Sequence, residues 1–148
     1  MIKAATLPLP TYKHQPGVNP RPTDGFLESI AEQAPANISS DNASSNEVWL
    51  YGLRLIEEGY YWEAHEILEP VWFNAKPNSR ERFFIQGIIQ FANATLKAEM
   101  RKPKAALRLC ALCDELLTNA SSQADDNLMG ISVSTYRTKN ASLHKTLK

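Results

Sequence analysis

Cysteine is scarce. The 148-residue chain holds two, Cys110 and Cys113, which excludes a secreted disulfide scaffold. Neither sign of charge dominates, since 16 Lys and Arg balance 16 Asp and Glu. A phosphate-driven nucleic-acid binder normally shows a basic balance or a basic stripe, so nucleic acid is not an expected partner. Long hydrophobic runs are missing as well. The longest, Phe83 to Ala94, is interrupted by Gln86, Gln90 and Asn93 and is too short and polar to span a bilayer. The N-terminus lacks the apolar segment of a secretory signal. These absences lead to the expectation of a soluble, cytoplasmic protein with no membrane partner. No segment alternates with the period of a strand. No Gly-rich phosphate loop, Gly-x-Ser-x-Gly elbow or His-Glu-x-x-His signature is present.

What is present divides into three stretches. Pro8, Pro10, Pro16, Pro20, Pro22 and Pro35 punctuate residues 1–45, which read as an irregular arm and a flexible linker with a short helix around Gly25–Gln33. Deleting residues 1–40 is expected to leave the rest folded. Residues 46–119 read as one helical bundle. Ser44 and Glu47 have capping-box spacing, and the first helix that follows stops at Gly59. The second runs from about Tyr60 to Asn74, with Pro70 expected to bend it. Asn78 and Glu81 have cap-like spacing for a third helix, about Ser79–Met100, and Pro103 suits the first turn of a fourth, about Pro103–Asn119. Residues 120–148 are polar and form a tail that either packs on the bundle or is partly disordered. The fold class is therefore all-α: a compact bundle of about four main helices arranged as two antiparallel hairpins. Phe84, Ile88, Phe91 and Leu96 are its expected core, and the third helix is its most buried element.

The second helix carries the most information. At about 100° per residue, Trp62, His65, Glu66, Glu69 and Trp72 fall on one side and Ala64, Ile67, Leu68 and Val71 on the other. The second set is an ordinary core face. The first mixes indoles, carboxylates and an imidazole without any Lys, which is the composition of a site. A carboxylate that accepts from an imidazole sets its tautomer and raises its basicity. The same pair could ligate zinc, iron or manganese, although His-x-x-x-Glu alone is a weak metal signal. A structural network is the third reading, with His65 and the carboxylates paired to Arg82, Lys97 or a Trp Nε1 across the helix interface. Glu63 lies nearer the apolar side, and Arg82 is its first candidate partner.

The third helix adds a polar stripe of Arg82, Gln86, Gln90, Asn93 and Lys97 within about 80° of arc on an otherwise apolar helix. That stripe is either a pocket wall or a solvent window. Gly87 costs helix stability, which close approach of a helix or ligand would offset. Cys110-Ala-Leu-Cys113 lies deep in the fourth helix, where buried small side chains are a better reading than a redox pair. Gly59–Ala64 and Pro103–Leu107 look a little like the openings of tetratricopeptide units. Ala64 and Ala106 are 42 residues apart, which misses that repeat's period of about 34.

The order Gly59, Tyr61, Trp62, Glu63, His65, Glu66, Leu68, Glu69, Trp72, then Arg82, Gln86, Gly87, Ile89, Gln90 resembles the bacterial and archaeal domain-of-unknown-function family numbered 309. The likeness covers about residues 47–118. It implies a small all-helical bundle and no established activity. Longer members of that family carry Pro-Gly, Pro-His-Pro and Gly-His in the arm. Here Pro16-Gly17 is kept, and Arg21 and Phe26 stand where the two histidines are expected, which weakens a metal reading for this chain.

The functional expectation is an inter-helix pocket that binds a small polar ligand. His65, Glu66 and Glu69 are the candidate acid/base groups, and Trp62, Glu63, Trp72, Arg82, Gln86 and Gln90 the candidate ligand contacts. Whether the protein is an enzyme, whether a metal binds and which cofactor it would use stay open. Self-association is a further candidate interaction. The alternatives are a helical-repeat-like interaction module and a purely structural buried polar network.

Overall fold

The computed structural model describes residues 2–148. Six α-helices follow in order: α1 (Phe26–Ala31), α2 (Glu47–Glu57), α3 (Tyr61–Phe73), α4 (Arg80–Glu99), α5 (Pro103–Ala120) and α6 (Val133–Thr146). A 3-10 helix (Ser40–Ser45) precedes α2. Two short strands, β1 (Asn127–Leu128) and β2 (Ile131–Ser132), pair antiparallel ahead of α6. The fold is all-α. Helices α2 and α3 form one antiparallel hairpin, α4 and α5 the other, and α3 packs on α4 to join them.

Local chemistry sets the helix ends. The Asn46 side chain accepts from Trp49 N at 3.1 Å and starts α2, so the cap is Asn46 and not Ser44. Gly59 has φ +85° and closes α2, with Tyr60 N donating to Leu55 O at 2.8 Å in the pattern of a left-handed C-cap. Ser79, the residue after Asn78, caps α4 by accepting from Arg82 N. Helix α3 continues through Pro70 to Phe73, one turn beyond it. Pro103 occupies the first turn of α5, where its missing N–H costs nothing.

Helix α4 lies between α3 and α5 and is the spine of the core. Phe84, Ile85, Ile88, Phe91, Ala92 and Leu96 are buried on it. Gly87 lets α5 approach: a Cβ there would lie 2.6 Å from Leu117 Cδ2. Gly52 does the same between α2 and α3, where a Cβ would lie 2.3 Å from Leu68 Cδ2.

The two ends of the chain are more ordered than their composition suggests. The arm is irregular but bound to the bundle. Ala4, His14, Leu27, Ile30 and Ile38 are buried. Arg54 donates to Ala4 O and Leu7 O, and Tyr51 donates to Pro8 O at 2.7 Å. Instead of a flexible linker, residues 37–46 hold the 3-10 helix and a parallel bridge from Ile38 to Ala75. At the other end α6 docks on α5 and α4. Tyr136 meets Phe84 and Phe91 edge-on at 6.3 and 5.7 Å, and Trp49 Nε1 donates to Met129 O at 3.0 Å. Asp126 receives hydrogen bonds from the Ser132 and Ser134 hydroxyls and from Ser134 N at the start of α6. The two hydroxyls hold its carboxyl below the usual range.

Candidate functional site

The apolar face of α3, Ala64, Ile67, Leu68 and Val71, is fully buried. That leaves the opposite face to the arm and to solvent. His65 Nε2 and Glu69 Oε2 stand 3.0 Å apart, one turn from each other, with their side chains 31% and 59% exposed. Glu66 lies beside them, and its Oε2 is 3.9 Å from the Arg21 guanidinium. A hollow of about 250 Å³ opens along this edge, lined by Glu66, Glu69, Pro70, Phe73 and Asn74. Phe73 is 70% exposed, so the hollow joins two carboxylates to a bare aromatic face. Asn74 Nδ2 donates to Pro35 O at 2.9 Å, which fixes that side of the rim to the arm.

Glu63 behaves differently. It is buried completely. One oxygen accepts from His14 N at 2.7 Å; the other, Oε1, receives no hydrogen bond among the described residues. Burial pushes its carboxyl above the usual range, and the His14 N–H opposes that in part. The expected pairing of Glu63 or Glu66 with Arg82 does not form. Glu63 lies in the first turn of α3, whereas Arg82 meets its last. Arg82 donates to Phe73 O and Ala75 O at 3.2 and 2.9 Å and lies 4.6 Å over the Trp72 ring. A cation beside the final carbonyls of a helix is favoured there by the dipole, so Arg82 is taken up by the end of α3.

Residues 49–109 match the family model described as a domain of unknown function (DUF309). The chain carries a DUF309 domain. No curated protein and no solved structure matches the chain. The matched DUF309 segment spans most of α2, all of α3 and α4, and the start of α5, and so includes every candidate site residue.

Outside the DUF309 segment, the arm contributes contacts that the motif helix does not signal. The His14 ring meets Trp62 edge-on with centroids 4.5 Å apart, and the Arg21 guanidinium lies 5.4 Å over the same indole. Asn19 shapes this loop: its Oδ1 accepts from Gln15 N and faces His14 Nδ1, and its Nδ2 donates to Lys13 O. The one legible signal was the loop's Pro16-Gly17 turn, with Gly17 at φ +80°.

The amide stripe of the DUF309 segment is half-buried along α4. Asn93 Nδ2 lies 3.4 Å from Gln90 Oε1. Gln86 and Gln90 are not in the lining of the hollow beside Glu66 and Glu69, and no hydrogen bond joins them to His65, Glu66 or Glu69 among the described residues. The close approach at Gly87 is made by Leu117 of α5. No group of three or more His, Cys, Asp or Glu side chains among the described residues is arranged to hold a metal ion. No helix among them is long and apolar enough to cross a membrane.

Proposed function

We propose that the exposed edge of α3 binds a small polar ligand that carries hydrogen-bond donors. Glu66 and Glu69 receive it, and His65 exchanges a proton with it. The observation that carries this reading is the His65–Glu69 contact of 3.0 Å at the rim of the Glu66/Glu69/Phe73 hollow. With a proton on Nε2 facing Glu69, a neutral ring keeps Nδ1 as an acceptor. Two carboxylates beside an exposed ring suit a donor-bearing, cationic or polyhydroxylated molecule better than an anion. Trp62, Glu63, Trp72 and Arg82 support this edge from behind, because their contacts are with the arm and with the end of α3.

The test is a thermal-shift screen of small polar compounds on wild type and on the His65→Ala/Glu69→Ala double variant. A true ligand stabilises the native state by mass action, by about 2.7 kcal/mol at a hundredfold excess over Kd. The expected result is a compound that raises Tm of the wild type and leaves the double variant unmoved. Equal shifts in both proteins would reject the reading.

A further inference from the structure

Charge is unevenly spread along the chain. Residues 100–113 carry Arg101, Lys102, Lys104 and Arg108, and residues 127–148 carry Arg137, Lys139, Lys145 and Lys148. All 16 acids lie outside these two segments. The balanced total therefore says nothing of the local surface, and the fold decides whether the two basic segments meet.

They do. Arg137 donates to Ser121 Oγ just past the end of α5, and Asn140 Nδ2 donates to Cys110 O further back in it, so α6 runs antiparallel to α5. A groove between them is lined by Cys110, Ala111 and Asp114 from α5 and by Asn140, Ala141 and His144 from α6. Helical neighbours on one face lie three or four residues apart. Stepping back from Ala111 in this way reaches Arg108 and then Lys104. Stepping on from Ala141 and His144 reaches Lys145 and Lys148. Away from Asp114, the groove is thus flanked by cations of both helices. Arg101 and Lys102 stand at its end, in the turn between α4 and α5. All six are exposed. Half-buried His144 lies beside them and brings no negative charge. The acids nearest in sequence are Asp114, at the other end of the groove, and Glu99, the last residue of α4.

The fold makes no polar use of these six cations. None forms an ion pair or donates a side-chain hydrogen bond among the described residues, whereas Arg54, Arg80, Arg82 and Arg137 each hold a carbonyl or hydroxyl oxygen. Arg101 also has φ +60° in a position after a helix where glycine is usual. A left-handed backbone is unfavourable for an L-residue, and here it carries a cation at the mouth of the groove.

The rest of the face selects among polyanions. Leu112, 38% exposed, is the one large apolar side chain that α5 and α6 leave in solvent. Protein interfaces centre on aromatic anchors and are poor in Lys. Tyr136, the one Phe, Tyr or Trp of the two helices, is buried, so no base can stack here and no ring can enter a bilayer. A row of phosphates needs neither, since Lys and Arg alone hold it.

We infer that the groove between the start of α5 and the end of α6 is a sequence-independent docking surface for the phosphate backbone of double-stranded DNA, held by Lys104 and Arg108 on one side and Lys145 and Lys148 on the other. This face is separate from the α3 hollow and does not depend on the reading given for it.

The test is fluorescence anisotropy of a short labelled DNA duplex with the full chain, from about 50 to about 200 mM salt. Each phosphate neutralised contributes about −0.9 to the slope of log K against log salt. The expected slope is about −4, a weakening of a few-hundredfold over this range. Lys104→Gln/Arg108→Gln keeps good helix formers at exposed positions and should bring the slope to about −2. Lys145→Gln/Lys148→Gln, on the other helix, should do the same. Lys3→Gln/Lys76→Gln removes equal charge elsewhere and should leave the slope unchanged. At matched negative charge, single-stranded DNA, polyglutamate and phosphatidylserine vesicles should each compete less well than unlabelled duplex. The inference is overturned if the duplex does not bind at about 50 mM salt, if both face variants keep the wild-type slope, or if Lys3→Gln/Lys76→Gln flattens it as much as they do. It is equally overturned if any of the three other polyanions competes as well as the duplex.

Discussion

Glu63 is kept from water by the same arm that it anchors. Its carboxyl receives the His14 N–H, and burial raises its pKa from the ordinary value of 4.5. The folded protein therefore holds this proton to higher pH than the unfolded chain does. The stabilising share of Glu63 is complete below 4.5 and is lost as pH rises through the raised value. Glu63→Gln keeps an acceptor for His14 N–H and cannot ionise. Urea unfolding from about pH 4 to about pH 8 should show a constant difference between variant and wild type at the acid end, then a growing advantage for the variant. A pH-independent difference would mean that folding does not raise the Glu63 pKa. Asp126 runs the opposite way. Its carboxyl is held low by Ser132 and Ser134, so its hold on the start of α6 is present above the ordinary carboxylate range and is lost as pH falls through the lowered value.

Between helices, two glycines set the spacing. Adding a methyl at Gly52 puts it within 2.7 Å of Leu68 Cγ as well as against Cδ2, and Leu68 is fully buried. Helix propensity would gain about 1 kcal/mol from Gly52→Ala. Overpacking a tight core costs about 1–3 kcal/mol, and two contacts this short place it at the upper end. The expected net effect is a loss of about 1–2 kcal/mol, read as a lower urea midpoint at unchanged m. An increase in stability would show that Leu68 moves aside freely.

Helices α2 to α5 are legible in the sequence because their apolar residues recur at helical spacing and because a cap-forming residue (α2, α4), the Gly59 break (α3) or Pro103 (α5) marks their starts. The caps themselves fall one or two positions away from the expected ones. Ser44 and Asn46, like Asn78 and Ser79, are all good cap formers, and only the geometry decides which oxygen reaches a free N–H. Helix α6 is hard to see because just Val133, Tyr136 and Asn140 are buried on it, a narrow stripe with a polar residue at one of its three points. The partner of Glu63 is invisible for another reason. It is a backbone N–H, and a backbone donor leaves no mark in residue type. Burial in the arm is scattered over Ala4, His14, Leu27, Ile30 and Ile38 with no period to detect. The His65–Glu69 contact, by contrast, follows directly from i,i+4 spacing on a helix.

Across the whole molecule, the arm is a structural part of the bundle. Deleting residues 1–40 would uncover Glu63, Trp62 and Tyr51, free the Arg54 guanidinium and remove the buried side chains of α1. Contrary to what composition alone suggests, the truncated chain should unfold at markedly lower urea and show red-shifted tryptophan emission. Retention of the full-length midpoint would show that the arm's contacts contribute little.

The same division of labour holds along α3, where one set of polar residues binds the protein and another faces outward. Exposed ion pairs contribute about 0–1 kcal/mol to stability, so a pair kept for a ligand can be removed with little damage, while a pair built into the fold cannot. Urea unfolding of the His65→Ala/Glu69→Ala variant, without any ligand, tests this most directly. The expected result is a stability within about 1 kcal/mol of wild type. A loss of about 3 kcal/mol or more, the size seen when a buried polar network is broken, would contradict it and make the pair part of the scaffold.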